Sequence, residues 1–404
     1  MKIAIVGKGT SAIITALVAI KEGHAIEIFH DPDQKHLQVG ESTTVPIGQL
    51  IFDVTGLSIF ELEQLGIVST KFGVKMMGWG TGNTFIHNIG IPSEKEHYIE
   101  ANKIAFHFHT QKFNDFFNEL LERKFDVKYH AEKVTKSEEV EGGIELNGKL
   151  FDFTIWCSGW TEEESWLYKE PFISTVDSAI LYQKDHVEPN YTIHRTTKDG
   201  WQFELPFPQE GSSRCGYLYN SKYSDPTKDK IFYYQSERED AAPHTHINWQ
   251  PRLSRKLIVD QRTAYNGNRL MFIEPIEALS LHYYWFFALY IMKYLKDPTF
   301  ETYMNTNINY MHEMYLYQIM LAFHYSYGAT QKGSQYWEVT TAQAQSIMNS
   351  REHGDHDFLE ACIANDMLHG TNFSGIGLYR TKDMLQLHSG FTGKAEEEIL
   401  NTFN

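Results

Sequence analysis

Cysteine is scarce: Cys157, Cys215 and Cys362 are odd in number and far apart in a chain of 404 residues. That usage argues against a disulfide framework or a Cys-based zinc site and fits a reducing cytoplasm. Positive charge is also in short supply, with 36 Lys and Arg against 52 Asp and Glu and a net charge of −16. Without a basic stripe interleaved with aromatics, a nucleic-acid partner is not expected. Low-complexity stretches and internal repeats are missing, which sets aside linkers and solenoids. The longest apolar run, about residues 278–292, is interrupted by His282 and falls short of the ~20 residues of a membrane span. The opening Met-Lys-Ile-Ala-Ile-Val runs straight into a glycine turn, so no signal peptide is expected. Histidines cluster at His107/His109, His244/His246 and His353/His356, yet none has the spacing and acidic partner of a recognised metal site, and no metal is expected.

What is present is a folded, aromatic-rich chain, 42% apolar with 23 Tyr, 26 Phe and 8 Trp. Its length exceeds what one core usually supports, so two closely associated domains are expected. Residues 2–6 read as a buried strand, the following glycine turn opens a helix to about Ile20, and Ala25–His30 reads as a second strand. Residues 104–122 read as a helix with Phe106, Phe113, Phe116, Phe117 and Leu120 on one side. The stretch from about 123 to 220 is mostly strand-like, with turns at Glu141-Gly142-Gly143 and Asn147-Gly148, and the chain beyond about 279 is helical. The expected fold is α/β: an N-terminal Rossmann-like, cofactor-binding module with a β-rich insertion and a helical C-terminal cap. Expected bounds are 1–290 for the module, with the β-rich region interleaved at about 70–100 and 165–260, and 291–404 for the cap.

Gly7-x-Gly9-x-x-Ala12 follows a strand and opens a helix. Gly7 permits the tight turn, Gly9 lets the backbone approach a pyrophosphate, and Ala12 allows close helix–strand contact. Thr10 and Ser11 lie in the same turn, where helix N-terminal amides face phosphate. His30 occupies the position of the usual ribose-binding acid, with Asp31 next to it. The segment 152–159 reads as a strand ending in Cys157-Ser158-Gly159, similar to the second FAD-contact strand of flavin monooxygenases. Glu274-Pro275-Ile276-Glu277 precedes a helix starting near Leu279 or Ser280, whose unpaired amides favour an anion.

With these pieces in order, the chain resembles the flavin-dependent tryptophan-halogenase family, and most of all its compact, cyanophage-encoded members. The resemblance covers about residues 1–290. Val39-Gly40-Glu41-Ser42-Thr43 resembles the family's strap over the flavin, which implies FAD contacts at Val39, Gly40 and Ser42 beside those at Ser158 and Gly159. Lys71-x-x-Val74-Lys75-x-x-x-Trp79 is similar to the family's lysine segment and puts Lys71 at the catalytic-lysine position. Gly200-Trp201-Gln202-Phe203-Glu204-Leu205-Pro206 is similar to the Gly-Trp-x-Trp-x-Ile-Pro signature, with Phe203 for the second Trp. It implies that Trp201, Phe203 and Pro206 line the passage to the substrate, with Phe85 and His87 placed there by rough position. Glu277 falls at the family's catalytic glutamate, and Leu279 and Ser280 at its halide-binding amides.

The resemblance implies that reduced FAD and oxygen oxidise a halide to hypohalous acid, which Lys71 delivers to an aromatic carbon while Glu277 accepts the departing proton. A lysine does this by hydrogen-bonding the oxidant or, when burial keeps it neutral, by being halogenated itself. Two departures matter. Ala278-Leu279-Ser280 stands where the family has Ser-Thr-Gly, which alters the halide pocket and favours bromide or iodide, the halides more easily desolvated and oxidised. The short tail implies a more open pocket and a small aromatic substrate other than enclosed free tryptophan. With no nicotinamide site apparent, reduced FAD is expected from a separate, transient flavin reductase, in the cytoplasm (the host's, if phage-encoded), with a homo-oligomer open. Two rivals stand beside this reading: a one-component NAD(P)H flavin hydroxylase and a non-catalytic nucleotide-binding protein.

Overall fold

The run Lys-Ile-Ala-Ile-Val buries on both faces, and it forms the inner strand of a parallel sheet. A computed structural model describes residues 1–34, 40–89, 104–160, 162–225, 245–329, 332–350 and 381–401. The chain divides into two units: residues 1–70, 92–170 and 251–311 form the first, and 71–91, 171–250 and 312–404 the second. The expected α/β class with a Rossmann-like module is what the chain adopts.

In the first unit six strands run in the order Ile258–Asp260, Thr263–Tyr265, Phe153–Trp156, Lys2–Val6, Ala25–Phe29, Lys128–His130. All neighbours are parallel except the edge strand Ile258–Asp260. The helix Thr10–Lys21 is buried along most of its length, as a near-continuous apolar sequence requires. A hairpin turns at Asn147 and Gly148, both with positive φ (45° and 81°), the conformation a two-residue Asn-Gly turn demands. The expected helix over 104–122 is instead a strand, Ala105–His109, followed by a helix, Thr110–Phe125. Ala-Phe-His-Phe-His alternates with period two and pairs with Gly40–Ser42, while the 3.6 period starts only after His109, whose ring caps the helix.

Asn266 ties this unit together. It is fully buried, and its Nδ2 donates to Thr15 Oγ1 (2.9 Å) and to the Tyr284 carbonyl (2.8 Å). Its Oδ1 accepts from the Gly267 amide (2.8 Å), and its backbone amide donates to the Trp156 carbonyl (2.9 Å). One side chain thus joins the Thr10–Lys21 helix, the Leu279–Lys296 helix and the turn between strand and helix.

In the second unit the strands run Thr245–Asn248, Ser178–Lys184, Ser212–Tyr219, Gly200–Phe207, Asn190–Thr197, then the part of Val68–Met77 from Lys71 onward, with Thr84–Asn88 beside it. Strand alternation puts Val74, Met76, Phe85, His87, His194, Trp201, Phe203 and Leu205 on one face. Helical residues of the same unit cover that face: Trp201 Nε1 donates to Tyr325 Oη (2.8 Å), and Trp79 meets Trp201, Tyr325 and Trp337 at centroid distances of 6.4, 5.6 and 5.4 Å. The opposite face buries a Lys184–Glu204 pair at 3.2 Å. Among the described residues, no helix is long and apolar enough to cross a membrane.

Replacing Asn266 with Ala removes the donor to Thr15 Oγ1 and to the Tyr284 carbonyl and leaves the buried Gly267 amide without its acceptor. The expected cost is about 2 kcal/mol, read in thermal unfolding as a fall of about 5 °C in the apparent midpoint.

Candidate active site

Gly7 has φ 126°, and a Cβ built there would lie 2.9 Å from the Cys157 carbonyl carbon and 3.1 Å from the Ser158 amide nitrogen. Only glycine lets the Cys157-Ser158-Gly159 turn come this close to the first strand's end. The Cys157 thiol points inward toward Thr15 Oγ1 (3.7 Å), and burial pushes its pKa up to about 12, so it is a structural residue rather than a nucleophile. Gly9 precedes the Thr10–Lys21 helix without a side-chain cap; a Cβ there would meet nothing within 4 Å, and the first helical turn has no acid. Gly159, at φ 84°, likewise faces open space. Uncapped helical amides beside open space, next to a second small-residue turn, form a cradle that suits a dinucleotide's phosphates.

Thr10, Ser11 and Ala12 are buried at this turn. Ser11 takes the room that a side chain at Gly267 would need, its Oγ lying 2.3 Å from a Cβ built there. His30 directly follows the second strand, its amide donating to the His130 carbonyl (3.0 Å). Val39 lies outside the described residues; Gly40 and Ser42 form the strand paired with His109 and His107. The next turn opens the helix Val45–Thr55, where Thr44 gives no cap bond. Its Oγ1 lies 3.2 Å from His282 Nδ1, and burial lowers that imidazole's pKa to about 3, so the ring is neutral.

Glu277 is the middle residue of the short turn Ile276–Ala278, and its side chain lies outside the described structure. Ala278 then adopts a left-handed conformation (φ 60°, ψ 34°) and Leu279 returns to the right-handed region (φ −70°, ψ −22°). A left-then-right pair of residues curls successive amides into a concave nest. The Leu279–Lys296 helix has no side-chain cap and no acid in its first turn, so the Leu279 and Ser280 amides remain without an intrahelical acceptor.

In the second unit Lys71 is 1% exposed. Its strand is bulged there: Asn190 pairs with Lys71 and Tyr191 with Gly73, so Phe72 is the extra residue. Bulges of this kind re-aim side chains and recur beside functional sites. Trp201 and Phe203 are buried on the helix-covered face, and Gly216 leaves the space that the Phe203 ring fills. Pro206, in the same strand, pairs with Ser213. Phe85 meets Phe391 edge-on at 5.2 Å, and His87 Nε2 lies 3.6 Å from Asp383 Oδ1. Both residues therefore seat the helix Thr381–Thr392.

Sequence reading did not single out Arg269 or Asn266, and it marked Ala278 as a departure from the family's segment without its left-handed conformation. Arg269 is 2% exposed, lies over the Trp156 and Tyr265 rings, and donates to the Gly159 carbonyl (2.9 Å), holding the Cys157-Ser158-Gly159 turn. Of its partners, Gly159 and Trp156 are over 100 residues away in sequence, where no local pattern reaches. Among the described residues, no group of three or more His, Cys, Asp or Glu could hold a metal ion.

The sequence pattern of the family described as tryptophan halogenase matches residues 2–99 and 89–354. The tryptophan 7-halogenase KtzQ of Kutzneria sp. (strain 744) is 21% identical over 382 residues, covering 74% of this chain and 70% of its own. In fold, the chain is similar to a tryptophan halogenase from Shewanella frigidimarina (TM-score 0.77, 17% identity, 97% of this chain and 89% of that one). It is also similar to BrvH, a flavin-dependent halogenase from Brevundimonas sp. BAL3 (TM-score 0.74, 16% identity, 100% and 94%). The family pattern runs through both units and takes in most of the chain, and the protein therefore belongs to the tryptophan halogenase family, as a flavin-dependent halogenase.

Proposed function

We propose that this enzyme uses reduced FAD, oxygen and a halide to halogenate an electron-rich aromatic ring of the indole or phenol kind. The observation that carries the reading is the uncapped helix start at Leu279–Ser280, curled by the left-handed Ala278 directly after Glu277. When bound, reduced FAD supplies the electrons with which oxygen turns halide into hypohalous acid.

The chain's own groups divide the remaining work. The Gly7–Ala12 turn, with Ser158 and Gly159, holds the dinucleotide, assisted by His30 and the strap residues Val39, Gly40 and Ser42. The Leu279 and Ser280 amides hold the halide, as partial positive charge at a helix start favours. Lys71 holds and delivers the electrophilic halogen. Its burial supports this role, since an ordinary lysine keeps its ammonium in water. Glu277 accepts the proton that leaves the halogenated carbon. Trp201, Phe203, Pro206, Phe85 and His87 are assigned to the substrate side through the family motif; for Trp201, Phe85 and His87 the role is to shape that wall by anchoring the helices behind it. A separate flavin reductase supplies the reduced cofactor. Without glycine in the segment after Glu277, the nest is set by Ala278, and bromide or iodide is the preferred halide. A cytoplasmic location, the host's if the chain is phage-encoded, completes this reading.

Mass spectrometry of an indole and phenol panel, with enzyme, FAD, a reductase system and each halide in turn, tests it. The expected product carries halogen in place of one hydrogen and needs every component; a hydroxylated product made with NADPH and no reductase would overturn the assignment. Lys71→Ala is expected to abolish halogenation while leaving FAD binding intact. Glu277→Gln should lower kcat about 10²–10⁴-fold, the usual contribution of a general base. Competition between chloride and bromide that yields only chlorinated product would remove the halide preference. Ala278→Gly relieves a left-handed alanine that costs about 1–2 kcal/mol. It should therefore raise the apparent midpoint of thermal unfolding while changing the halide KM.

A further inference from the structure

One carboxyl in the cofactor unit has no part in the chemistry above. Glu41 sits in the strand Gly40–Ser42, opposite Phe108 of the strand Ala105–His109. Its Oε1 lies 3.1 Å from Thr10 Oγ1 and 3.2 Å from Thr110 Oγ1. Thr10 is the first residue of the helix that follows Gly9, so Glu41 is one hydrogen bond from the start of the phosphate turn. Thr10 Oγ1 also lies 3.1 Å from Asn114 Oδ1. A hydroxyl has one proton to give, so it serves the two acceptors by turns unless Glu41 carries a proton of its own. Among the described residues, no cation forms an ion pair with this carboxyl.

We propose that Glu41 is a proton-linked positioning residue for the cofactor: the diphosphate of FAD is accepted at the Gly9–Thr10 turn with Glu41 neutral, so that binding FAD draws a proton onto this side chain. The inference rests on the proposed FAD site. A like charge brought beside a carboxylate disfavours its ionised form, and a diphosphate at this helix start is such a charge. Neutral Glu41 also becomes a donor, able to bond Thr10 Oγ1 and leave that hydroxyl's proton for Asn114. Loss of hydration already pushes Glu41 up to about 7 without cofactor, against the two threonine hydroxyls that pull it down.

Among the described residues, the groups facing Glu41 do not compensate its charge. From the Thr10–Lys21 helix comes Thr10, and from the Thr110–Phe125 helix come Thr110 and Asn114. From the Leu279–Lys296 helix, Tyr284 interacts with Glu41 and is held protonated by burial, while its neighbour His282 is neutral. His107 and His109 flank Phe108 and so take the other face of the strand pair. Lys8, in the turn itself, lies over the Tyr129 ring (5.4 Å).

The sign follows directly. Below about pH 7 the free protein already carries the proton and FAD binds at full strength. Above it, Glu41 must be reprotonated on binding, and affinity falls until the pH passes the higher pKa of the complex. If the diphosphate raises that pKa by about one unit, the dissociation constant rises about five- to tenfold between about pH 6 and pH 8.5. The test is equilibrium titration with oxidised FAD over that range, with calorimetry in two buffers of different ionisation enthalpy to count protons. Wild type should weaken by this factor and take up protons at alkaline pH. Glu41→Gln, which keeps an acceptor for Thr10 and Thr110, should bind with no pH slope and no proton uptake. Thr110→Val, which removes a donor favouring the carboxylate, should keep the slope and move its midpoint to higher pH. A flat wild-type curve, or an unchanged slope in Glu41→Gln, would overturn the linkage alone. No FAD binding at any pH would overturn it together with the proposed function.

Discussion

The absence of a side chain at residue 7 is the constraint on which the cofactor unit depends. The backbone of Cys157 and Ser158 passes through the space that a Cβ there would claim. Because of that approach, two turns separated by some 150 residues lie side by side at the ends of neighbouring parallel strands. The rest of the unit secures this meeting. Asn266 joins the strand-end turn to two helices, Gly267 yields its side-chain space to Ser11, and Arg269 holds the Gly159 carbonyl. Buried polar groups are stabilising only when fully paired, and the Asn266 amide uses both its ends within the unit.

Electrostatics at the same turn divides labour between backbone and side chain. The helix start offers amides to an anion, and the nearby carboxyl of Glu41 is kept in check by desolvation rather than by a cation. At the start of the Leu279–Lys296 helix no side chain caps the amides, and Ala278 holds a conformation that alanine adopts at some cost.

Among the described residues of the second unit, aromatics build much of the core. The sheet face that carries Trp201 and Phe85 needs a helical layer to exclude water, and Tyr325, Trp337 and Phe391 of its helices help to supply it. Residues that the family motif places toward substrate, Trp201 above all, do structural duty there: its indole N–H is satisfied by Tyr325.

The sequence alone determined the local elements: the first strand and its glycine turn, the Asn-Gly hairpin, and the helix beginning at Leu279. Each is written in neighbouring residues whose periodicity or required φ is a short-range property. It also marked Lys71 and Glu277 through motif spacing. Where two local patterns adjoin, as at 104–122, sequence blurred them: the alternation of Ala105–His109 is a strand signal only once Gly40–Ser42 is there to pair with it. Tertiary structure alone decided the rest. It chose which distant backbone crowds Gly7, which carboxyl reaches Thr10, where the strand bulges at Lys71, and which aromatics are core. Those outcomes depend on through-space approach between segments 31 to some 150 residues apart, and strand pairing and burial, not neighbouring residues, set the distances.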